Sequence, residues 1–455
     1  MAEPVHRSSL FTASRRFALL LTLALGTSFA GTAHAQGLLQ TYRDALTNDP
    51  TYAAARALHM ANIERIPEAR GGLLPSANLV GNLDYAVVEP SSLGGRQIKG
   101  MSRDYTLQLS QPLFRYANLQ TYEQSKLFVL ASEVQVAAAR QDLIIRTAQA
   151  YFDVLGASDT LQFVRAQKAA ISEQLASAKR NFEVGTTTIT DSNEAQARYD
   201  LALSQEIAAE NDLAVRRTAL QQIIGRAPGE LATLRPNTTL PPPEPAVIDR
   251  WVADSEAGNT NVRIAQANYE IAGREIQVAK AGHMPTVDLV GSTGYSRQPS
   301  IDGFTGVGTS ASQRQSVIGV QVNIPMFAGF ATPAGVRETY SLQEQSRLQV
   351  EAARRAAAQL ARQTYLGVTS GLAQVRALEA AEVSNQSALD SNLLGYKVGL
   401  RVNIDVLNAQ QQLFQARRDL AQARYNTLMS GLRLKQASGQ LDEPDLLQLD
   451  ALLAR

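Results

Sequence analysis

The chain has 455 residues, 45% hydrophobic and 19% charged, with 43 basic and 42 acidic side chains and no cysteine. That balance can bury a core, so wholesale disorder is excluded, and the length suits two or three ordinary domains or one elongated structure. There is no excess positive charge to hold a nucleic-acid backbone, and the lack of cysteine rules out disulfides, thiolate metal sites, cysteine nucleophiles and a lipidated N-terminal Cys.

Residues 1–35 read as a signal peptide. Arg7, Arg15 and Arg16 form a basic n-region, Phe17 to Ala30 is an apolar run too short to span a bilayer, and Ala33-His34-Ala35 fits a small-x-small cleavage pattern. The mature chain is expected to begin at Gln36; the alternative is an N-terminal membrane anchor. Three Arg and one Glu fall within residues 1–35, which leaves 40 basic and 41 acidic side chains and a net charge of −1. Beyond that segment no run of about 18 apolar residues occurs, so no transmembrane helix is expected. Only a β-barrel would carry such a chain through a bilayer, since lipid leaves no backbone polar group unpaired. Without disulfides, an exported chain draws its stability from packing or assembly.

Helix is expected over 41–70, interrupted early by Asn48-Asp49-Pro50 and stopped by Pro75. A strand near 76–88 comes next, then a Gly- and Ser-rich loop over 89–102. Tyr105, Leu107 and Leu109 then alternate with Asp104, Thr106, Gln108 and Ser110, the period-two signature of a strand with one apolar face. After Pro112, residues 117–180 contain no proline and only one glycine, Gly156, and are dominated by good helix formers. At about 1.5 Å per residue this helix spans about 95 Å, too long for a compact domain, so it must lie along partner helices. A turn over 184–191 leads to a returning helix over 191–225. The Pro-rich stretch from Pro236 to Pro245 reads as a connector over 236–249.

The same order of elements then recurs: helix over 250–281, strands near 286–296 and 318–324 flanking a loop over 297–315, a long helix over 333–394, a turn at 398–405 and a return over 405–438. Ala69-Arg70-Gly71-Gly72-Leu73-Leu74-Pro75 matches Ala279-Lys280-Ala281-Gly282-His283-Met284-Pro285 at an offset of 210 residues. Leu107–Phe114 matches Val320–Phe327 at an offset of 213, and Phe182-Glu183-Val184-Gly185 matches Tyr396-Lys397-Val398-Gly399 at 214. A drift this small marks one ancestral unit duplicated in tandem, with copies over 36–235 and 250–440 and a C-terminal tail over 441–455. Within each copy the opening and returning helices, stacked end to end, match the long helix in length.

These elements predict a mixed α+β membrane protein. Its four strands per chain contribute to an oligomeric transmembrane β-barrel, and its helices continue that barrel as a long periplasmic tunnel. Four strands cannot close a barrel, for which about eight is the working minimum, so oligomerisation is required. Taken alone the strands favour half-buried strands of a soluble sheet, and it is the rest of the chain that points to a barrel; Tyr85, Tyr105, Phe114, Tyr295 and Phe327 are either aromatic girdles or ordinary strand aromatics.

The chain resembles the TolC family of outer-membrane efflux and secretion ducts. The most specific pieces are Phe182-Glu183-Val184-Gly185 with Ile189-Thr190-Asp191, and Tyr396-Lys397-Val398-Gly399 with Ile404-Asp405-Val406-Leu407. Ala148-Gln149-Ala150-Tyr151-Phe152-Asp153-Val154-Leu155 and Ala423-Arg424-Tyr425-Asn426 add to the likeness, which covers essentially the whole mature chain. The resemblance implies a homotrimer in the outer-membrane lipid, with a periplasmic adaptor and an inner-membrane transporter as partners. It also implies a gate at the periplasmic tip, with Tyr396, Arg401 and Asp405 on the inner helix pair and Thr190 and Asp191 on the outer one. Asn408, three residues past Asp405, stands where the best-known members carry a second acidic ring, so cation block there is expected to be weaker. Val184-Gly185-Thr186 and Val398-Gly399-Leu400 resemble the family's adaptor-docking tips.

Local readings of the same residues stand beside these. Asp191 with Glu194 looks like a capping box, Asp405 like a helix N-cap, Arg401 like a solvated surface residue and each Val-Gly turn like a helix C-cap. An enzyme is not expected: His59 and His283 are far apart, no G-x-S-x-G, H-E-x-x-H or P-loop occurs, and no cofactor or metal is implied. A soluble periplasmic coiled-coil adaptor is the remaining rival; it explains the helices but not the duplicated strand pairs.

Overall fold

The computed structural model describes residues 35–89, 97–235, 238–301 and 308–454. The expected signal peptide, apart from Ala35, lies outside the described residues. Three short helices open the chain: α1 (Leu38–Asn48), α2 (Pro50–Ile63) and α3 (Arg65–Gly71). A hairpin of β1 (Ser76–Val88) and β2 (Ile98–Phe114) leads into α4 (Tyr116–Glu183), 68 residues long, and α5 (Ile189–Ile224) returns. The second half repeats this with α6 (Ile248–Gly258), α7 (Thr260–Ala281), β3 (Thr286–Ile301), β4 (Gly308–Asn323), the 67-residue α8 (Ala331–Lys397) and α9 (Asn403–Ala437). Residues 441–455, read from sequence only as a tail, carry α10 (Glu443–Asp450), whose Leu446 and Leu449 are buried.

The four strands form one antiparallel sheet in the order β1-β2-β3-β4, and the β2–β3 pairing joins the two copies. β2 begins at Ile98, β3 runs on to Ile301 and β4 begins at Gly308, all inside segments expected to be loops. Ladder pairing uses backbone groups, so Gly- and Ser-rich sequence extends a strand once its neighbour is in register. Among the described residues neither β1 nor β4 has a second neighbouring strand, which leaves the sheet with two open edges.

The opening segments are more divided than the sequence suggests. Asp49 caps α2, its Oδ1 accepting from the Tyr52 amide at 2.7 Å with Pro50 at the first helical position. Asn259 caps α7 in the same way, accepting from the Asn261 amide at 2.9 Å. At each break an Asn, Asn48 beside the first cap and Asn259 itself at the second, ties the end of a returning helix. Asn48 Nδ2 donates to the Ile224 carbonyl, the last of α5, at 3.0 Å, and Asn259 Nδ2 donates to the Ala437 carbonyl, the last of α9, at 2.9 Å. So α5 continues into α2 and α3, and α9 into α7, as struts lying beside α4 and α8. Only the later part of each opening segment joins its strut, because the caps at Asp49 and Asn259 turn α1 and α6 aside.

The largest core sits where these struts are joined. Tyr42, Leu143, Ile144, Tyr151, Leu220, Ile224, Leu446 and Leu453 are fully buried there. Tyr151 donates its hydroxyl to the Ala232 carbonyl at 2.7 Å, and burial holds its phenol well above the ordinary value. Asp49, only 3% exposed at its side chain, takes both Arg146 guanidinium nitrogens at 2.9 and 3.1 Å. The Arg146 hydrogen bonds hold the Asp49 carboxyl below the usual carboxylate range against its desolvation.

Candidate functional site

Two regions carry the residues of interest: the sheet surface and the helix tips opposite it.

In the sheet, cross-strand register aligns the alternation of all four strands. Leu79, Leu107 and Thr293 lie in one row with Ser316, and Ala77, Leu109, Gly291 and Ile318 in the next; Leu289 with Val320 and Val287 with Val322 continue the same face. The opposite face carries Asn82, Asp104, Ser296 and Gln313 in one row and Asn78, Gln108 and Ser292 in another. Asn82 donates to Asp104 at 2.9 Å across that polar face. The two faces therefore differ in chemistry over the whole sheet, beyond what any single strand shows. Tyr105 and Tyr295 stack at 5.3 Å between ring centroids on the apolar face, and Tyr85 lies on the same face, opposite Met101. Phe114 sits at the helix end of β2, and Phe327 follows β4 in edge-to-face contact with Phe330 at 5.4 Å. At the junction with α4, Arg115 clamps the nearly buried Asp288 with two hydrogen bonds of 2.8 Å.

The far ends of α4 and α8 close with the same turn. Gly185 and Gly399 adopt φ of 75° and 76°, the left-handed region, with open space where a side chain would lie. The amides of Thr186 and Leu400 each donate at 2.8 Å to the carbonyls of Asn181 and Gly395. This 6→1 pattern satisfies the last helical carbonyls and requires glycine on conformational grounds alone. Val184, Val398 and Leu400 remain exposed around the turns, Leu400 at 81%.

The caps differ from the sequence reading. Thr188 is the N-cap of α5 and Asp191 its reciprocal partner three residues on: Thr188 Oγ1 accepts from the Asp191 amide, and Asp191 Oδ2 accepts from the Thr188 amide at 3.2 Å. The box is thus Thr188–Asp191, not Asp191–Glu194. Val402 is the N-cap of α9 and gives no side-chain hydrogen bond; Asp405 sits in the first turn, where its charge suits the helix dipole. Arg401 Nη1 lies 3.7 Å from Asp405 Oδ2, and its aliphatic stem packs over Gly395.

Tyr396 and Asp191 are not brought together. The Tyr396 hydroxyl accepts instead from Asn181 Nδ2 at 3.4 Å, on the other hairpin. Three further hydrogen bonds bridge the hairpins: buried Gln174 donates to buried Asn403 at 2.5 Å, and Arg198 donates to Asn408 at 3.1 Å and Gln411 at 2.9 Å. Thr190 is exposed. Sequence reasoning missed Asn181, Gln174, Asn403 and Arg198. A signal existed in the duplication: at the 214-residue offset Asn181 becomes Gly395, Phe182 becomes Tyr396, Thr187 becomes Arg401 and Glu194 becomes Asn408. The tip contacts fall where the copies diverge.

Among the described residues no group of three or more His, Asp or Glu side chains is placed to hold a metal ion, and no helix is long and apolar enough to cross a membrane.

A two-faced antiparallel sheet running into helices of nearly seventy residues is the fold of outer-membrane channel subunits. The Campylobacter jejuni CmeC outer membrane channel shares it with a TM-score of 0.76 at 18% identity, over 91% of this chain and 89% of that one. The family model described as "Outer membrane efflux protein" matches residues 41–226 and 251–440, once in each half. Outer membrane protein TolC of Escherichia coli K12 is 33% identical over 449 residues, 96% of this chain and 89% of its own length. Proteases secretion protein PrtF of Dickeya chrysanthemi is 32% identical over 450 residues, 96% of this chain and 95% of its own. The chain belongs to the TolC family of outer-membrane efflux and secretion channels, which are transport proteins rather than enzymes.

Proposed function

We propose that this chain is one subunit of a trimeric exit duct, in which three four-stranded sheets close a twelve-stranded barrel in the outer membrane and the helices extend into the periplasm. The observation that carries this is the sheet: one apolar face, one polar face and an unpaired edge on each side. In lipid an open edge leaves backbone groups unpaired, so edges β1 and β4 require partners, and other copies of the chain supply them. From Tyr105 to Phe114 β2 rises about 30 Å, or about 23 Å along the normal at a barrel's tilt, close to the roughly 25 Å apolar band between aromatic girdles. α4 and α8, each about 100 Å long, then form the tunnel wall.

In this reading residues 1–35 are removed on export and the two tandem copies share one architecture. The gate lies at the tips, with Tyr396 held by Asn181 across the two hairpins, Arg401 beside Asp405, and Thr190 and Asp191 in the first turn of α5; Asn408 leaves one carboxylate ring on the inner pair. The exposed apolar turns Val184-Gly185-Thr186 and Val398-Gly399-Leu400 dock a periplasmic adaptor, which links the duct to an inner-membrane transporter. Efflux and protein secretion are both open to such a duct; one relative is named for protease secretion. Comparing drug susceptibility with secreted proteins in a deletion strain assigns the cargo. Membrane fractionation tests the duct itself. Detergent-dependent extraction from the outer membrane, a cross-linked mass of three chains and a small bilayer conductance are expected, and a soluble pool of mature protein would favour the adaptor reading instead.

A further inference from the structure

The ionisable side chains of the sheet are segregated by sign. The strands carry three acids, Asp84, Asp104 and Asp288, and register puts all three on the polar face. They carry four cations, Lys99, Arg103, Arg297 and Arg314, and all four lie on the apolar face. Arg103 and Arg297 are direct cross-strand partners, and Arg314 stands opposite Tyr295, two residues along β3 from Arg297. Like charges placed directly opposite each other destabilise a ladder. Among the described residues no carboxylate lies within ion-pairing distance of any of the four, and Arg297 donates a 2.9 Å hydrogen bond to the Ser310 hydroxyl. The order along this face is also specific. Leu107, Leu109, Ile318, Val320 and Val322 come first, then the stacked Tyr105 and Tyr295 in one row with Arg314, then Arg103 with Arg297; beyond them lie Ser312 and Ser310 on the β3–β4 hairpin, and Met101 with Tyr85 and Lys99 with Val87 on the β1–β2 hairpin.

We propose that this cationic belt binds the phosphate groups of an anionic glycolipid in the outer leaflet of the outer membrane. The inference rests on the duct reading, which puts the hairpin ends at the cell exterior and the belt just above the acyl region. Guanidinium groups at that depth reach a headgroup layer while their stems stay against apolar surface. Paired arginines match phosphate oxygens by bidentate hydrogen bonding, which also relieves the repulsion between Arg103 and Arg297. Partners for these cations come from the membrane because the sheet holds its own acids on the other face. Each cation near an anionic lipid surface strengthens attachment about five-fold, so the belt is expected to favour a phosphorylated lipid at least about ten-fold over its dephosphorylated form.

The full chain, purified in neutral detergent, is offered diphosphorylated lipid A and its dephosphorylated counterpart, and lipid retained per chain is counted by native mass spectrometry. The wild type is expected to retain the phosphorylated form at least about ten-fold better, and Arg103→Gln/Arg297→Gln/Arg314→Gln to bring the ratio within about two-fold. Replacing the same three residues by Lys keeps the charge and is expected to keep most of the preference, which controls for damage to the sheet. Equal retention of both lipids by the wild type, or a preference unmoved by the Gln substitutions, overturns the proposal. Planar-bilayer conductance of the wild type is read in parallel. Conductance without lipid preference removes the belt and leaves the duct, whereas preference without conductance removes the duct.

Discussion

Replacing Tyr396 by Phe removes one hydroxyl, and its effect can be worked out from the tip geometry. The bond it makes to Asn181 Nδ2 is 3.4 Å long and only partly buried, which puts it at the weak end of the range for hydrogen bonds, about 0.5 kcal/mol. In the proposed trimer the substitution occurs three times around one aperture, so the closed state loses about 1.5 kcal/mol and the open population rises about ten-fold. Phe keeps the ring contact with the inner-hairpin cluster of Leu389, Leu393 and Leu413, so the helices themselves are not expected to loosen. Single-channel recording across a planar bilayer reads the change as more time in higher-conductance states. Asn181→Ala is expected to give the same rise, and the double substitution no more than either alone, because both remove one shared bond. Additive effects of the pair, or unchanged recordings in both single variants, would refute the assignment of this contact to the gate.

Arg401→Ser removes both the 3.7 Å approach to Asp405 and the stem over Gly395, and is expected to raise conductance at least as much as Tyr396→Phe. Asn259→Ala leaves the Ala437 carbonyl buried without its donor and strips the α7 cap; a loss of about 2 kcal/mol per chain is expected, seen as a lower midpoint in thermal melts followed by circular dichroism. Asp49 has a depressed folded-state pKa, so its contribution is full above the ordinary carboxylate range and fades as pH falls through that range toward the lower folded value. Asp49→Asn is expected to cost about 3 kcal/mol at neutral pH and to flatten acid sensitivity of the melting midpoint; an unchanged acid profile would remove Asp49 from that role. At Gly399 nothing crowds the missing side chain, so Gly399→Asn is expected to fold and assemble normally while Gly399→Val is strained at positive φ and lowers the melting midpoint.

Much of the fold was legible before any coordinates. Long proline-free runs marked α4 and α8 to within a few residues, since helix formation depends on local backbone chemistry and on what interrupts it. Asn48-Asp49-Pro50 marked a break for the same local reason. The matching break at Asn259 has no proline beside it and went unseen. The strand ends were underestimated because Gly and Ser do not favour a ladder on their own, yet lengthen one when an adjacent strand offers partners. At the tips the glycine turns were legible and the capping partners were misassigned by one turn: Thr188, not Asp191, is the N-cap of α5, and only the position of the first helical residue decides that.

What the sequence determined by itself was whatever depends on residues close together in the chain: period-two strands, helices of unusual length, paired turns, and a duplication that repeats them. The tertiary structure alone decided which distant side chains meet. Arg115 finds Asp288, Asn181 finds Tyr396, and Asn259 finds the end of α9, across separations no local pattern encodes. The same holds for the charge on the sheet. Each strand alternates on its own, but whether Arg103, Arg297 and Arg314 share a face is set by the register between strands, and a slip of one residue would have scattered them.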